Sequence, residues 1–176
     1  QEFYTLSTMS FIARRLSQKI TSAVGVSTFR RSYKVLHTSQ AKSVGGRQGV
    51  VTSNDGAIKL NLEKPAGLGG KPSNPKSGTD PEQLFAAGYS ACFRGAMGVA
   101  QAQLKFPPLP EETSVEGLID IGKHDNGTLG IQAELRVHVP GYTKEQTQKL
   151  IDTAHQICPY SHATRNNIKV TLTPVA

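Results

Sequence analysis

The chain has 176 residues, which fits one domain with a core of useful size, and its two cysteines are too few for a scaffold held by several disulfides. No apolar run is long enough for a transmembrane helix. The net charge is +7, but residues 1–32 contain five basic residues against one acidic residue and the rest contains 15 against 12, so the charge does not indicate a nucleic-acid surface on the domain.

Residues 1–32 have the composition of a mitochondrial presequence. No acidic residue occurs between positions 3 and 54, and Arg and Ser are frequent. A helix in this segment would carry an apolar stripe of Ile12, Leu16 and Ile20. We therefore expect import into the mitochondrial matrix and cleavage near residues 29–33; a disordered basic tail is the alternative. Residues 1–8 are expected to be a cloning remnant or a gene-model extension.

Three short strands are predicted next. Residues 35–38 form a strand candidate, and residues 49–53 and 57–63 flank Asn-Asp-Gly, a hairpin signal. Ile58, Leu60 and Leu62 alternate with polar residues, which predicts one buried face. Residues 64–78 are rich in Gly and Pro, which predicts a loop.

A long helix is predicted to begin after this loop. Asp80 can act as N-cap, Pro81 fits the first helical position, and Gln83 fits the third. The helix can run towards Lys105 and must stop before Pro107. Its interior is dominated by small residues, which predict close approach of another element: Ala86, Ala87, Gly88, Ser90, Ala91, Gly95, Ala96, Gly98 and Ala100.

The second half of the chain predicts a strand pair, a helix and a final strand. Alternating apolar residues in 115–121 and 131–139 flank an Asn-Gly turn at 126–127. Thr143 and Gln146 form a capping box, and an apolar helix face follows up to Cys158, where Pro159 ends the helix. Residues 168–172 alternate as a last strand. This order predicts an α+β domain with largely antiparallel sheet.

The two cysteines are either small core residues or the reagents of a redox reaction. Free cysteines are often buried for their packing alone. However, both lie on helices that look core-facing, so their sulfurs could meet, and Arg47 lies in the unusual glycine turn Gly-Gly-Arg-Gln-Gly. Cys158 at a helix C-terminus is disfavoured as a thiolate, whereas Cys92 inside its helix needs a separate cation, for which Arg47 is the candidate. A nucleophilic Cys92 with a resolving Cys158 would form a two-cysteine peroxidase.

Three motifs resemble the organic hydroperoxide resistance (Ohr) proteins of the OsmC/Ohr family. DPEQLFAAGYSACFRGAM (residues 80–97) and CPYSHATRNNI (158–168) look like the two cysteine motifs, and YKVLHTSQAKSVGGRQG (33–49) looks like the start of the mature chain. The resemblance covers residues 33–176, which we take as one peroxidase domain. The serine before Ala-Cys-Phe favours Ohr over the OsmC branch.

The resemblance implies specific roles and partners. Cys92 corresponds to the peroxidatic thiol, Cys158 to the resolving thiol, Arg47 to the arginine that stabilises the thiolate, and Glu82 to the glutamate that orients that arginine. It further implies an intertwined homodimer, in which antiparallel sheet wraps around a buried cysteine-bearing helix. It implies no metal or organic cofactor, an organic hydroperoxide as substrate, and a lipoyl-type dithiol or lipoylated protein as reductant.

The residues near Cys92 favour an apolar substrate. Leu84, Phe85, Phe93 and Met97 surround it in sequence, and an alkyl or fatty-acyl hydroperoxide would gain ~0.8 kcal/mol per CH₂ buried there. Ordinary core packing is the alternative explanation for these four residues. His155 and His162 bracket Cys158, but two His and one Cys lack a fourth ligand, so no metal site is predicted.

The motifs allow two alternatives, one for the function and one for the position of Glu82 relative to Cys92. A non-enzymatic redox sensor or a carrier of apolar ligands on the same fold is the alternative to a peroxidase. The second alternative concerns Glu82 and Cys92, which are ten residues apart and thus ~15 Å apart along one straight helix. Either the helix breaks near Gly88, or Glu82 serves the cysteine of the other subunit, with Arg47 as intermediary in both cases.

Overall fold

The computed structural model describes residues 33–73 and 77–175, and the predicted presequence, residues 1–32, lies outside them. A compact unit begins at Ser39. Its described residues form six strands and three α-helices: β1 (Ala41–Val44), β2 (Val50–Ser53), β3 (Lys59–Asn61), α1 (Pro81–Leu104), β4 (Ser114–Lys123), β5 (Leu129–His138), α2 (Lys144–Ile157), α3 (Pro159–Thr164) and β6 (Val170–Val175). Among these helices none combines the length and the apolar character needed to cross a bilayer.

The first sheet has the order β1-β2-β3 and is antiparallel. The predicted hairpin between β2 and β3 is confirmed, with Gly56 at φ 77° in the turn. The predicted strand at residues 35–38 is wrong, because the ladder with β2 begins only at Ala41, opposite Ser53, where β2 ends. The prediction that Ile58, Leu60 and Leu62 form one buried face is also wrong within one chain. Leu62 is buried, but Ile58 and Leu60 are 40% and 38% exposed.

Helix α1 has the predicted ends. The Asp80 side chain accepts a hydrogen bond of 2.8 Å from the Gln83 backbone N–H, and Lys105 caps the C-terminus with φ 53°. The predicted close approach occurs at two places: a Cβ on Gly88 would lie 3.1 Å from the Tyr160 hydroxyl, and a Cβ on Gly117 of β4 would lie 2.9 Å from the Ala86 carbonyl oxygen. Gly117 must therefore lack a side chain and Gly88 leaves room for Tyr160, but the predicted close approach is wrong at Gly95 and Gly98 within one chain, where a Cβ would meet nothing within 4 Å.

The second sheet has the order β4-β5-β6 and covers the helices. β4 and β5 form the predicted antiparallel hairpin, whereas β6 pairs with β5 in parallel, so the expectation of largely antiparallel sheet holds with this one exception. The main core cluster is formed mainly by residues of α1, β5 and α2 together with Cys158. Its large, fully buried members are Tyr89, Phe93, Met97, Leu135, Val137, Leu150 and Ile151. The domain is thus α+β.

The segment after α2 contains an element that the sequence analysis missed. The predicted capping box of α2 is present at Thr143 and Gln146, and α2 ends at Ile157, as expected from Pro159. However, Pro159 also starts a second helix, α3, because its fixed φ and missing N–H suit the first position of a helix. α3 begins directly after Cys158 and therefore takes part in placing its sulfur.

Candidate active site

The two sulfur atoms lie next to each other although the cysteines are 66 residues apart in sequence. Cys158 Sγ lies 3.6 Å from Cys92 Sγ, and both cysteines are free thiols. Cys158 is fully buried, whereas Cys92 is only partly buried. A disulfide needs the sulfurs to come ~1.5 Å closer, to about 2.05 Å. The two cysteines are therefore close enough to form a disulfide after a small movement, and Cys92 is the more accessible of the two.

Cys158 occupies the junction between two helices. Its backbone N–H donates to the Ala154 carbonyl at the end of α2, and its carbonyl accepts from the His162 N–H in the first turn of α3. Cys158 therefore lies directly before a second helix as well as at the C-terminus of α2, where the sequence placed it.

The pKa of Cys92 is raised within one chain. Burial is the largest cause, the backbone N–H of Tyr160 lowers the pKa by a hydrogen bond to the sulfur, and the neighbouring Cys158 thiol raises it. Arg47 is not among the groups that act on this pKa within one chain. In the described part of one chain, no cationic side chain is therefore among the groups that lower the pKa of Cys92.

Arg47 and Glu82 form a two-pronged ion pair. The two terminal guanidinium nitrogens of Arg47 each donate to one Glu82 carboxylate oxygen at 2.7 Å. The hydrogen bond to Arg47 is the main cause that lowers the pKa of Glu82, and the same bond raises the pKa of Arg47, so both are charged at neutral pH. The structure thus brings together the pair that the prediction requires.

Glycines and a helix end hold this ion pair in place. Arg47 lies in a 3-10 turn, and a Cβ on Gly49 would lie only 1.7 Å from the Val44 carbonyl oxygen, so the tight turn requires glycine there. Glu82 lies in the first turn of α1, where the helix dipole favours a carboxylate. Both charges are therefore held by local backbone geometry.

The ion pair and Cys92 of the same chain are far apart. α1 is one continuous helix from Pro81 to Leu104, so the alternative of a break near Gly88 is wrong. Ten residues of unbroken helix separate Glu82 from Cys92 by ~15 Å along the axis. In this arrangement a guanidinium bound to Glu82 therefore lies too far from the Cys92 sulfur to contact it within one chain.

The four predicted substrate residues separate into two groups. Leu84 and Phe85 are partly buried, whereas Phe93 and Met97 are fully buried in the core cluster and expose nothing to a ligand within one chain. For Phe93 and Met97 the structure therefore agrees with the alternative of core packing. They can support the wall behind Cys92, but they do not form its surface.

An aromatic surface near Cys92 was missed by the sequence analysis. The Tyr160 ring stacks on Phe85 with centroids 6.1 Å apart and planes 16° apart, and its hydroxyl lies over Gly88, one turn before Cys92. Tyr160 remains 39% exposed. The Cys-Pro-Tyr-Ser motif contained this residue, but its contact with α1 depends on α3. This ring forms an apolar surface next to the thiol pair.

No metal site accompanies the thiols in the part of the chain that the structure describes, where no three His, Cys, Asp or Glu side chains are grouped to hold an ion. His155 lies on α2 near the site. Burial is the largest cause that lowers its pKa, and the charge of Arg165 lowers it further. His155 is therefore neutral at physiological pH.

The chain is similar to proteins of one family over most of its length. Residues 73–173 match the family described as OsmC-like protein. The chain is 51% identical over 140 residues to the organic hydroperoxide resistance protein of Xanthomonas axonopodis pv. citri, covering 80% of this chain and 95% of the relative. With the organic hydroperoxide resistance protein OhrB of Bacillus subtilis it shares 37% over 139 residues, covering 78% and 96%.

Solved structures show the same fold. The crystal structure of Bacillus subtilis OhrB superposes with a TM-score of 0.72 at 34% identity, covering 80% of this chain and all of that chain. An organic hydroperoxide resistance protein from Elizabethkingia anophelis superposes with a TM-score of 0.71 at 44% identity, covering 81% and 98%.

Proposed function

The chain belongs to the OsmC/Ohr family, and we propose that it is a thiol-dependent peroxidase that reduces organic hydroperoxides to alcohols. Its relatives named for organic hydroperoxide resistance support a peroxide-detoxifying role and a peroxide-reducing oxidoreductase activity. The observation that carries the two-cysteine mechanism is the 3.6 Å contact between the sulfurs of Cys92 and Cys158. Two cysteines that served only as small core residues would have no need to lie in contact, with one thiol buried and the other accessible.

The first step reduces the peroxide. The Cys92 thiolate attacks the outer oxygen of R–O–OH, the O–O bond breaks, and the alkoxide takes a proton and leaves as the alcohol. Cys92 keeps the transferred oxygen as a sulfenic acid, so its sulfur has lost the two electrons that the peroxide gained. Partial exposure of Cys92 allows the peroxide to reach it, while buried Cys158 is protected.

The second step forms the disulfide. Cys158 attacks the Cys92 sulfenic sulfur, the S–O bond breaks, and the hydroxyl group leaves as water with the thiol proton. A dithiol of the lipoyl type then supplies two electrons, returning both cysteines to thiols and becoming a cyclic disulfide. The cycle uses the two sulfurs and the dithiol, without a metal or an organic cofactor.

We place the thiolate-stabilising cation across a subunit boundary. The raised pKa of Cys92 calls for a positive charge, and the Arg47–Glu82 pair lies too far along α1 to supply it within one chain. A homodimer supplies it if the Arg47–Glu82 pair of one subunit meets Cys92 of the other. The partly exposed apolar residues Ile58 and Leu60 support such an interface, because they would be covered in a dimer.

The aromatic surface beside Cys92 supports an apolar substrate. Tyr160 and Phe85 offer stacked rings next to the thiol, and each CH₂ of an alkyl chain buried against them gains ~0.8 kcal/mol. Hydrogen peroxide has no carbon chain and gains nothing from this surface. We therefore propose alkyl or fatty-acid hydroperoxides as substrates, with Leu84 at the margin and Phe93 and Met97 in support.

A turnover assay tests this function. The protein is mixed with cumene or linoleic acid hydroperoxide, dihydrolipoamide and lipoamide dehydrogenase, and NADH consumption is followed. Many turnovers per subunit are expected, with none for Cys92→Ser. A redox sensor would be oxidised once, and a carrier of apolar ligands would consume no peroxide, so either result would refute the peroxidase.

We also propose residence in the mitochondrial matrix. The acid-free, basic residues 1–32 support this location, and lipoylated dehydrogenase complexes there would provide the reductant. Fusion of residues 1–32 to a fluorescent protein should direct it to mitochondria. A diffuse cytosolic signal would instead support the basic-tail alternative.

A further inference from the structure

Three buried hydroxyl groups join the helix that carries Cys92 to the helix that follows Cys158. Tyr89 Oη on α1 lies 3.0 Å from Ser161 Oγ and 3.2 Å from Thr164 Oγ1, both on α3. Tyr89 and Ser161 have no exposed surface, and Thr164 is 7% exposed. None of the three hydroxyls takes part in the chemistry proposed above, so this hydroxyl cluster calls for another role.

The proton positions in the hydroxyl cluster follow from one bond. Thr164 donates its hydroxyl proton to a backbone carbonyl of its own helix, since the carbonyls of Tyr160 and Ser161 lie 3.0 Å and 3.2 Å from its oxygen. Because a hydroxyl has one proton, Thr164 Oγ1 can only accept from Tyr89, and Tyr89 in turn can accept from Ser161. The cluster is then a directed chain with Tyr89 in the middle. Loss of the Tyr89 hydroxyl breaks two hydrogen bonds at once.

The hydroxyl cluster lies one turn from each sulfur. Tyr89 precedes Cys92 by three residues on α1, and Ser161 follows Cys158 by three residues. Helix α3 has only six residues and cannot be stable alone, so contacts with α1 must hold its position. Cys158 is the N-cap of α3 and Tyr160 is its second residue, so the start of α3 places Cys158 Sγ and the Tyr160 backbone N–H next to the Cys92 sulfur. A shift of α3 therefore changes the approach of one sulfur to the other.

We propose that the Tyr89 hydroxyl is a positioning group for disulfide closure. By holding α3 against α1 it keeps Cys158 in line to attack the Cys92 sulfenic acid, which must happen before a second peroxide oxidises that sulfur further. In this step the S–S bond forms, the S–O bond of Cys92 breaks, and the hydroxyl leaves as water with the Cys158 proton. This role rests on the proposed peroxidase function, and it concerns closure, not peroxide reduction.

The test separates the two steps in the full chain with Tyr89→Phe. One equivalent of cumene hydroperoxide is added to reduced protein, and loss of the Cys92 thiol and formation of the disulfide are followed separately by quenched mass spectrometry. Dimedone traps any sulfenic acid. We expect closure to slow at least about fivefold, the factor that one lost hydrogen bond corresponds to. Cys92 oxidation, which depends on α3 through the Tyr160 backbone N–H, should slow by a clearly smaller factor. The dimedone adduct at Cys92 should increase accordingly, and with excess hydroperoxide, which supplies the second oxidation, sulfinic acid at Cys92 should increase too.

A matched control removes another tyrosine hydroxyl. Tyr142 donates its hydroxyl proton to the Pro107 carbonyl, outside the thiol site, so Tyr142→Phe should leave both rates within about twofold of wild type. If Tyr89→Phe does not fold, Ser161→Ala removes one bond of the cluster and should slow closure more than oxidation.

Three outcomes would overturn the proposal. They are closure at the wild-type rate in folded Tyr89→Phe or Ser161→Ala, an equal slowing of oxidation and closure, and the same slowing in Tyr142→Phe. Closure is also measured with diamide, which oxidises a dithiol through an adduct on one sulfur. If hydroperoxides oxidise no variant, the proposed peroxidase fails, but diamide still reports whether Tyr89 positions α3.

Discussion

Mixed dimers provide the sharpest test of how Arg47 and Glu82 act on Cys92. Chains carrying Glu82→Ala are combined with chains carrying Cys92→Ser, each with a different affinity tag. Under the arrangement across subunits, the heterodimer contains one site with both residues intact, because the Glu82 of one chain faces the Cys92 of the other. Under an arrangement within one chain, no site in this heterodimer is intact.

The expected magnitude follows from random pairing of equal amounts of two chains. Half of the dimers are then heterodimers and each has one intact site of two, so the mixture should regain about one quarter of wild-type activity, above the low background of the Glu82→Ala homodimer. Activity is measured by NADH consumption with cumene hydroperoxide at equal total protein. An arrangement within one chain predicts no gain above that background.

A control places both substitutions in the same chain and mixes it with wild type. Across subunits, both sites of that heterodimer are broken, so about one quarter of wild-type activity remains, from the wild-type homodimers. Within one chain, the wild-type subunit still works, and about one half remains. The arrangement across subunits would be refuted if the first mixture recovered no activity and the second kept one half of wild-type activity. Heterodimers isolated by both tags must be present in each mixture. Arg47 would then have to leave Glu82 to reach Cys92 of its own chain.

Three further predictions concern the thiols, the ion pair and the start of the domain. Cys92→Ser should abolish turnover, whereas Cys158→Ser should permit one rapid oxidation in stopped flow and then stall; full steady-state turnover of Cys158→Ser would refute a resolving role. Because Arg47 depresses the pKa of Glu82 in the folded state, its stabilising effect is complete above the ordinary pKa of 4.5 and is lost as pH falls through the depressed value. Glu82→Gln should therefore lower the free energy of unfolding, measured in denaturant at pH 7, by about 1 kcal/mol, a value discounted for partial exposure. The difference in this free energy between wild type and variant should shrink below pH 4.5, and the same difference at pH 3 as at pH 7 would contradict this. A chain that begins at Tyr33 should fold with a Tm within a few degrees of the full chain, since the compact unit begins at Ser39, and an insoluble product would count against this.

Elements that depend on neighbouring residues could be predicted from the sequence. The Asp80 cap of α1, the capping box of α2 and the turns of the two hairpins each need a few adjacent residues with suitable hydrogen-bonding groups, and all are present. The strand at residues 35–38 and helix α3 could not be predicted in this way. A strand exists only where a partner strand continues beside it, and a helix of six residues exists only where it packs.

The sequence placed the predicted site residues in recognisable motifs, but their surroundings depended on packing. The pairing of Arg47 with Glu82 in one chain could be expected from the motifs, and the structure places them in contact. The direction of the side chains could not be expected: Phe93 and Met97 face the core, while Tyr160 turns its ring onto α1 beside Cys92. Periodicity indicates one apolar helix face but does not distinguish core from substrate surface.

The sequence by itself determined the family and the α+β class, and it pointed to the two cysteines and the charged pair, because motifs and local caps are properties of residue type and spacing. The tertiary structure alone decided that α1 is unbroken, which separates Glu82 from Cys92 of the same chain, and that α3 brings Cys158 to 3.6 Å from Cys92. It also decided that Tyr89 meets Ser161 and Thr164 in the core. These contacts join residues more than 60 positions apart, and such contacts arise only when buried surfaces pack against each other.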